Sequence, residues 1–321
     1  MTRIINRVAI IGTGVIGASW AALFLAKGLD VVATDVAPNA EESLRHFIKS
    51  AWPALTRLGL APGASQENLR FSADLAQAIK DADFVQENGP ERIDFKRKLY
   101  GQLDELLPKD VIVASSSSGL TMSEIQVGAL IHPERCVIGH PFNPPHLIPL
   151  VEIVGGARTS EETIQRAAEF YTSLGKRAIR LHKELPGHVA NRLQAALGRE
   201  VYYLVAEGVV SVADVDTAVC WGPGLRWGVM GQVLLNHLGG GQGGIEHFFD
   251  QFTGPLTAWW KTLGSVELTP EIRQKLIDGL HAEVGGRSVD EMNDQRDAIL
   301  LGLLELRAKF ETPSVVPQKV I

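Results

Sequence analysis

The sequence predicts an α/β fold: a doubly wound, mostly parallel sheet followed by an all-α C-terminal domain. Three observations carry this expectation. Short apolar runs alternate with amphipathic stretches through the first half, a glycine-rich turn joins the first run to the first helical pattern, and after Pro186-Gly187 nearly every pattern is helical. Alternation of the first kind reads as a parallel sheet covered by helices on both faces.

The apolar runs fall at 8–11, 31–33, 84–85, 111–114, 136–138 and 150–154, with 178–181 arriving later. Amphipathic stretches at 18–27, 95–107 and 161–174 lie between them. Short apolar runs bounded by polar residues suit strands buried on both faces. In the second half, Ser211 with Asp214 and Ser288 with Glu291 stand at capping-box spacing ahead of apolar periodic runs. The boundary falls near 185, giving domains at 1–185 and 186–321. No internal repeat is expected, and the tail from 313 to 321 reads as extended.

Composition bounds the function. A chain of 321 residues suits two domains, since single cores usually stop growing near about 250–300 residues. Hydrophobic residues make up 45% and charged residues 21%, which excludes a disordered or fibrous chain. Lys and Arg number 31 against 37 Asp and Glu, so a net charge of −6 argues against nucleic-acid binding. Any anionic ligand must then be met by local donors. Two cysteines, Cys136 and Cys220, make no disulfide framework and point to a reducing cytoplasm. With no secretory pattern at the start and no apolar stretch of membrane-spanning length, a soluble protein is expected.

The turn Gly12-Thr13-Gly14-Val15-Ile16-Gly17 follows the first run and opens a helix near Val15. Its first glycine permits the tight turn, its second lets the backbone approach a pyrophosphate, and its third allows close helix–strand packing. Asp35 ends the second run, where a carboxylate accepts from both ribose hydroxyls and repels a 2′-phosphate. Val36-Ala37-Pro38 offers no arginine for such a phosphate, so NAD is the expected cofactor of a Rossmann-type domain.

Ligands of an open parallel sheet bind outside the carboxyl ends of its strands. Successive runs lead there into the glycine turn, Asp35, Glu87, Ser115-Ser116-Ser117-Ser118 and, through Gly139, His140. The serine run is expected to offer hydroxyl donors near a substrate. A histidine such as His140 suits the acceptance of a hydroxyl proton as hydride leaves the same carbon. Glu152, on the next run, would fix its tautomer. A hydrolase triad of Ser118, His140 and Glu152 is disfavoured because no Gly-x-Ser-x-Gly elbow exists. Cys136 and His140 have possible metal spacing without a second ligand pair nearby, so no metal is expected.

At these residues the chain resembles the 3-hydroxyacyl-CoA dehydrogenase family. The carriers are the glycine turn, the serine run, His140-Pro141-Phe142-Asn143-Pro144-Pro145 with the downstream Val151-Glu152-Ile153-Val154, and Pro186-Gly187-His188-Val189-Ala190-Asn191-Arg192. The resemblance implies a catalytic His140–Glu152 pair, with Ser118 and Asn191 on the substrate oxygen. It places Glu91 and Lys96 near the cofactor's ribose and implies a homodimer formed through the helical domain. Two departures set the chain apart from the acyl-CoA enzymes. Segment 38–70, where those enzymes hold CoA, lacks a lysine cluster, and Gly222-Pro223-Gly224-Leu225-Arg226-Trp227 with the glycine-rich 237–244 resembles short members that act on free hydroxy acids. The implied substrate is L-carnitine. L-gulonate, a 3-hydroxyacyl-CoA, or a crystallin-like NAD-binding structural role stay open as alternatives.

A quaternary ammonium cannot donate hydrogen bonds and is held by aromatic faces, each worth about 0.5–2 kcal/mol. Trp221, Trp227, Trp259 and Trp260 lie in the second domain with Phe248, Phe249 and Phe252. Ser118, Phe142, Arg192, Trp221, Arg226 and Trp227 are expected to line the substrate, where Arg226 or Arg192 could pair with a carboxylate. The same aromatics could instead pack a helical core or a dimer interface.

Overall fold

In the computed structural model, which describes residues 4–310, eight strands form one sheet in the order β3-β2-β1-β4-β5-β6-β7-β8. They are β1 (Arg7–Ile11), β2 (Asp30–Thr34), β3 (Leu69–Phe71), β4 (Phe84–Glu87), β5 (Ile112–Ser115), β6 (Cys136–Pro141), β7 (Leu150–Gly155) and β8 (Arg177–Leu181). Every neighbouring pair is parallel except β6 with β7. The chain runs outward from β1 to β3, then returns to place β4 on the other side of β1. That reversal opens the crevice in which such sheets bind ligands. The expected Rossmann-type, mostly parallel sheet is thus present.

Helices α1 (Val15–Ala26), α2 (Ala40–Leu58), α3 (Leu75–Ile79), α4 (Ile93–Leu106), α5 (Met122–Ile125) and α6 (Glu161–Ser173) accompany the sheet. Alternation along each strand divides the interior into two layers. Val8 and Ile10 join Trp20, Phe24, Leu44, Ile48 and Tyr171 on one face, while Ala9 and Ile11 join Leu99, Leu103 and Ile125 on the other. Helix α1 is apolar all round and accordingly buried along nearly its whole length. Its Trp20 stacks on Phe24 at 5.3 Å and lies 5.4 Å from Tyr171. Fully burying each such large apolar side chain is worth about 1.5–3 kcal/mol.

Two features depart from the sequence reading. Strand β3 has only three residues with Arg70 in the middle, too short to show a period. Strand β7 runs antiparallel to β6, a direction that an apolar run does not encode.

The chain divides into two compact units, one running to Asn191 together with Ile299–Gly302, the other from Arg192 to Ala298 together with residues from Leu303 on. Past β8 the described residues are helical: α7 (Ala190–Ala206), α8 (Val212–Trp221), α9 (Pro223–Trp227), α10 (Gln232–Gly239), α11 (Gly244–Trp260), α12 (Pro270–Val284) and α13 (Val289–Phe310). Ser211 caps α8 by accepting from the Asp214 N–H at 3.1 Å. Before α13, Ser288 Oγ accepts from Glu291 N at 3.1 Å and Ser288 N donates to Glu291 Oε2 at 2.8 Å, a reciprocal capping box. The tail expected to be extended, 313–321, lies outside the described residues. No helix among the described residues is long and apolar enough to cross a membrane.

Candidate active site

The glycine turn sits at the carboxyl end of β1, over the reversal point of the sheet. Gly12 has φ +84°, and a Cβ there would meet the Asn88 carbonyl oxygen at 2.7 Å. A Cβ on Gly17 would strike the Gly12 carbonyl, so both positions require glycine. Gly14 is different: its Cβ would meet nothing within 4 Å, and Gly14 is the N-cap of α1 with no side chain capping the helix. A bare helix N-terminus with open space before it fits a pyrophosphate. Val15 is exposed and Ile16 half-buried at the start of that helix. Asp35 follows β2, its Oδ2 accepting from Thr13 N at 2.6 Å and Thr13 Oγ1 at 3.0 Å, its Oδ1 from Ala37 N at 2.9 Å. Burial opposes the charge on Asp35, but these bonds outweigh it and hold the carboxyl below its usual range.

The serine run divides its hydroxyls among four partners. Ser115 Oγ donates to Glu87 Oε2 at 2.6 Å, Ser116 Oγ to Asn88 Oδ1 at 2.7 Å, and Ser117 Oγ to Glu91 Oε1 at 2.6 Å. Only Ser118 reaches His140, at 2.9 Å from Nε2. β5 ends inside the protein, and the hydroxyls of Ser115, Ser116 and Ser117 are taken up by Glu87, Asn88 and Glu91 within the chain. Lys96 lies inside the protein. Its side chain is 1% exposed, with Nζ 2.8 Å from both oxygens of the buried Glu87. It therefore braces the loop after β4, under the Gly89 carbonyl at 3.4 Å. Glu91, with a side chain 44% exposed, lies nearer the surface 4.0 Å from Lys96 Nζ and also accepts from Gly119 N and Leu120 N.

The antiparallel pairing of β6 with β7 puts His140 directly opposite Glu152. Their side chains meet, Nδ1 to Oε2, at 2.8 Å. A carboxylate only accepts, so Nδ1 carries the proton and the Nε2 lone pair faces the Ser118 hydroxyl. Both residues are buried. Glu152 Oε1 accepts from Val189 N at 2.8 Å and Ala190 N at 3.0 Å, at the start of α7. Burial again opposes the charge, but the His140 bond and the two amides keep the Glu152 carboxyl low. Ser118, His140 and Glu152 thus form a continuous hydrogen-bonded chain, with His140 Nε2 facing the Ser118 hydroxyl.

The loop between β6 and β7 carries Phe142, half-buried, and is anchored from below. His146 N donates to Ser19 Oγ at 2.8 Å, and the Ser19 hydroxyl returns a bond to His146 Nδ1. Buried Lys176 donates to the Pro145 carbonyl and, at 2.8 Å, to that of Ile148. Among the described residues no three His, Cys, Asp or Glu are placed to hold a metal ion.

Comparison with known proteins decides the family. Residues 7–185 match the family model described as 3-hydroxyacyl-CoA dehydrogenase, NAD binding domain, and residues 187–279 match that of its C-terminal domain. The chain belongs to the 3-hydroxyacyl-CoA dehydrogenase family. It is 48% identical over 307 residues to an L-carnitine dehydrogenase of Nocardiopsis dassonvillei, covering 96% of this chain and 93% of that one. An L-carnitine dehydrogenase of Bacillus cereus is 44% identical over 306 residues, covering 95% and 94%. Among solved structures, an NAD+ dependent dismutase, 5-formyl-3-hydroxy-2-methylpyridine 4-carboxylic acid 5-dehydrogenase, superposes with a TM-score of 0.82 at 31% identity, covering 94% of this chain and 98% of that one. The 3-hydroxybutyryl-CoA dehydrogenase of Escherichia coli follows with a TM-score of 0.63 at 28% identity, covering 74% and 50%.

This member of the 3-hydroxyacyl-CoA dehydrogenase family is an NAD-dependent hydroxy-acid dehydrogenase. Asn191, half-buried, follows the amides on Glu152 in α7. The other residues expected at the substrate belong to the helical unit. Arg192 is exposed on α7, Trp221 ends α8 at 77% exposed, and Arg226 and Trp227 are exposed on α9. Trp227 Nε1 donates to Gln232 Oε1 at 2.5 Å. Among the described residues no tryptophan ring of this unit stacks on another ring, whereas Phe248 lies 4.9 Å from Phe252. Sequence reasoning gave no role to Lys176, and named Glu87 only as a group at the sheet's edge and His188 only within the family motif, because nothing in a single sequence marks a polar residue as internal.

Proposed function

We propose that the chain oxidises the 3-hydroxyl of L-carnitine to 3-dehydrocarnitine with NAD, His140 accepting the hydroxyl proton. The observation that carries the mechanism is the relay: Glu152 holds the proton of His140 on Nδ1 and leaves Nε2 free to accept. The names of the full-length relatives support the substrate. NAD, when bound, supplies the hydride acceptor. Its place is at Gly12, Gly14, Val15, Ile16 and Gly17, with Asp35 on the ribose and Glu91 near it; Lys96 acts indirectly through the loop it braces.

In this reading Ser118 and Asn191 hydrogen-bond the substrate oxygen, and Ser118 turns from His140 Nε2 to the incoming hydroxyl. As the proton arrives on Nε2, the Glu152 carboxylate stabilises the imidazolium. Charge-stabilising arrangements of this kind are worth several powers of ten in rate. A trimethylammonium suits aromatic ring faces and a carboxylate suits a guanidinium, residue types that the helical unit offers in Trp221, Trp227, Arg192 and Arg226.

The same reading includes a homodimer formed through the helical unit. Val205 and Val215 are its only buried apolar side chains among the described residues, while Leu193, Val233, Phe249, Trp259 and Trp260 are exposed. So little burial does not sustain a unit of this size alone, and a second copy offers a matching apolar face. A cytoplasmic location fits two free cysteines, one of them buried with its thiol pushed up to about 12.

The test is NADH formation with L-carnitine, L-gulonate and 3-hydroxybutyryl-CoA side by side, in the wild type and in His140→Ala. Turnover with carnitine that falls by orders of magnitude in the variant, at unchanged NAD affinity, is expected. No signal with carnitine would refute the substrate, and a fully active variant the mechanism. Sedimentation at micromolar protein checks the dimer; a monomer refutes it.

A further inference from the structure

We infer that His188 is a positioning residue of the dehydrogenase, a neutral imidazole that ties the Ser118 loop to the entry of α7 and sets the plane of the His140 ring. The inference rests on the reading of His140 as proton acceptor. It starts from a short strap, residues 187–190, that touches every member of the relay in turn. Gly187 N donates to the Ser118 carbonyl at 3.0 Å. His188 Nε2 meets the Ser117 carbonyl at 2.9 Å, and its ring lies 4.8 Å from that of His140 at an interplanar angle of 50°. Val189 N and Ala190 N then grip Glu152.

The backbone of the strap is special. Gly187 has φ +79° and His188 φ +49°, two successive left-handed residues. A side chain other than glycine adopts that region at a cost, and such strain gathers at functional sites. The amides of these two residues go to the Ser118 and Leu185 carbonyls, and the turn brings the next two, of Val189 and Ala190, onto the Glu152 carboxylate.

The imidazole itself is the second observation. His188 is 2% exposed, yet its Nδ1 has no hydrogen-bond partner. A carbonyl only accepts, so the proton of the neutral ring sits on Nε2, and charging would place a second proton on the buried, unpartnered Nδ1. Burial disfavours that charge and His140 repels it; the Ser117 carbonyl and the more distant carboxylates of Glu152 and Glu91 act the other way, and the balance holds His188 below the ordinary histidine range. A neutral neighbour leaves the positive charge that develops on His140 unopposed. An apolar ring would fill the same space without an orphaned nitrogen, so packing alone does not account for histidine here. The Nε2–H bond does: it fixes the loop that presents the Ser118 hydroxyl to His140.

Two variants separate donor from ring. His188→Phe keeps a ring and removes the donor, whereas His188→Gln keeps an N–H at a similar reach. For His188→Phe, kcat with L-carnitine is expected to fall about 10- to 100-fold, the scale of a small misplacement at a reacting centre, with KM and NAD affinity within about threefold. His188→Gln should recover most of that loss. A kcat for His188→Phe within twofold of wild type, or losses that merely track thermal stability and NAD affinity in both variants, overturns the inference. A second arm needs no substrate: nitrogen NMR of labelled histidines in the full-length protein. His188 should hold the neutral, Nε2-protonated form below the ordinary histidine midpoint of about 6.5. An ordinary midpoint, or a proton on Nδ1, overturns it. If wild type leaves carnitine unoxidised, the substrate reading fails, and the NMR arm still decides the state of His188.

Discussion

Replacing Glu152 by Gln tests the relay with the least change of shape. Glu152 Oε1 accepts from two amides, at 2.8 and 3.0 Å, and Oε2 from His140 Nδ1 at 2.8 Å. A glutamine keeps only one good acceptor. If its oxygen stays on the two amides, its NH2 faces Nδ1, and that nitrogen must give up its proton. The ring then carries hydrogen on Nε2 and cannot accept from a substrate hydroxyl. If the amide flips, two buried backbone donors lose their acceptor at about 1–3 kcal/mol each, so the first arrangement wins. The wrong tautomer and the lost countercharge together cost about 10³–10⁴ in kcat by analogy with other carboxylate–histidine relays, and about 4–5.5 kcal/mol in barrier height at about 1.4 kcal/mol per power of ten. The assay is steady-state NADH formation at saturating L-carnitine and NAD, with NAD affinity and thermal midpoint measured on the same preparation. A variant that keeps more than about a tenth of wild-type kcat refutes the assignment of tautomer control to Glu152.

Three further outcomes are expected. Asp35→Ala should weaken NAD binding about 10- to 100-fold, the loss of one or two charge-assisted bonds, and narrow the preference over NADP, as read by titration of both nucleotides. Lys96→Met strands the Glu87 carboxylate inside the protein and should cost about 3–5 kcal/mol, seen by calorimetry as a fall in the thermal midpoint of about 6–20 °C; removing both charges in Glu87→Gln with Lys96→Met should restore part of it. Burial, with help from Lys27, lowers the Lys176 ammonium from 10.5 to about 7. The unfolded chain therefore binds the extra proton between about 7 and 10.5, so folding stability from this group rises with pH across that window, approaching an upper limit of about 5 kcal/mol. Denaturation of wild type against Lys176→Met at several pH values checks the slope, and equal slopes in the two proteins refute it.

Much of the nucleotide half was legible because its requirements are local. A strand, a glycine turn and a helix follow one another in the chain, so Gly12, Gly14 and Gly17 announce themselves, and Asp35 stands at the end of the next strand. The residues of the relay were legible as chemistry at strand ends, and Glu152 was expected on His140, whereas the Ser118–His140 bond and the two amides on Glu152 were not. Strand β3 was hidden by its length. The serine run was only partly legible because the acceptors that meet its hydroxyls, Glu87, Asn88 and Glu91, come from another segment of the chain.

What the sequence by itself determined is the alternation that builds the sheet, the turn that fits a pyrophosphate, and the residue types gathered at its carboxyl edge. Tertiary structure alone decided three things. It set β7 antiparallel to β6 in the register that faces His140 with Glu152. It sent Ser115, Ser116 and Ser117 inward and left Ser118 to the histidine. It also buried Glu87 with Lys96 and laid His188 against His140. The physical reason is common to all three. Apolar periodicity records which positions leave water, whereas partners of buried polar groups are fixed only when distant segments meet at about 3 Å, a distance no single stretch of sequence contains.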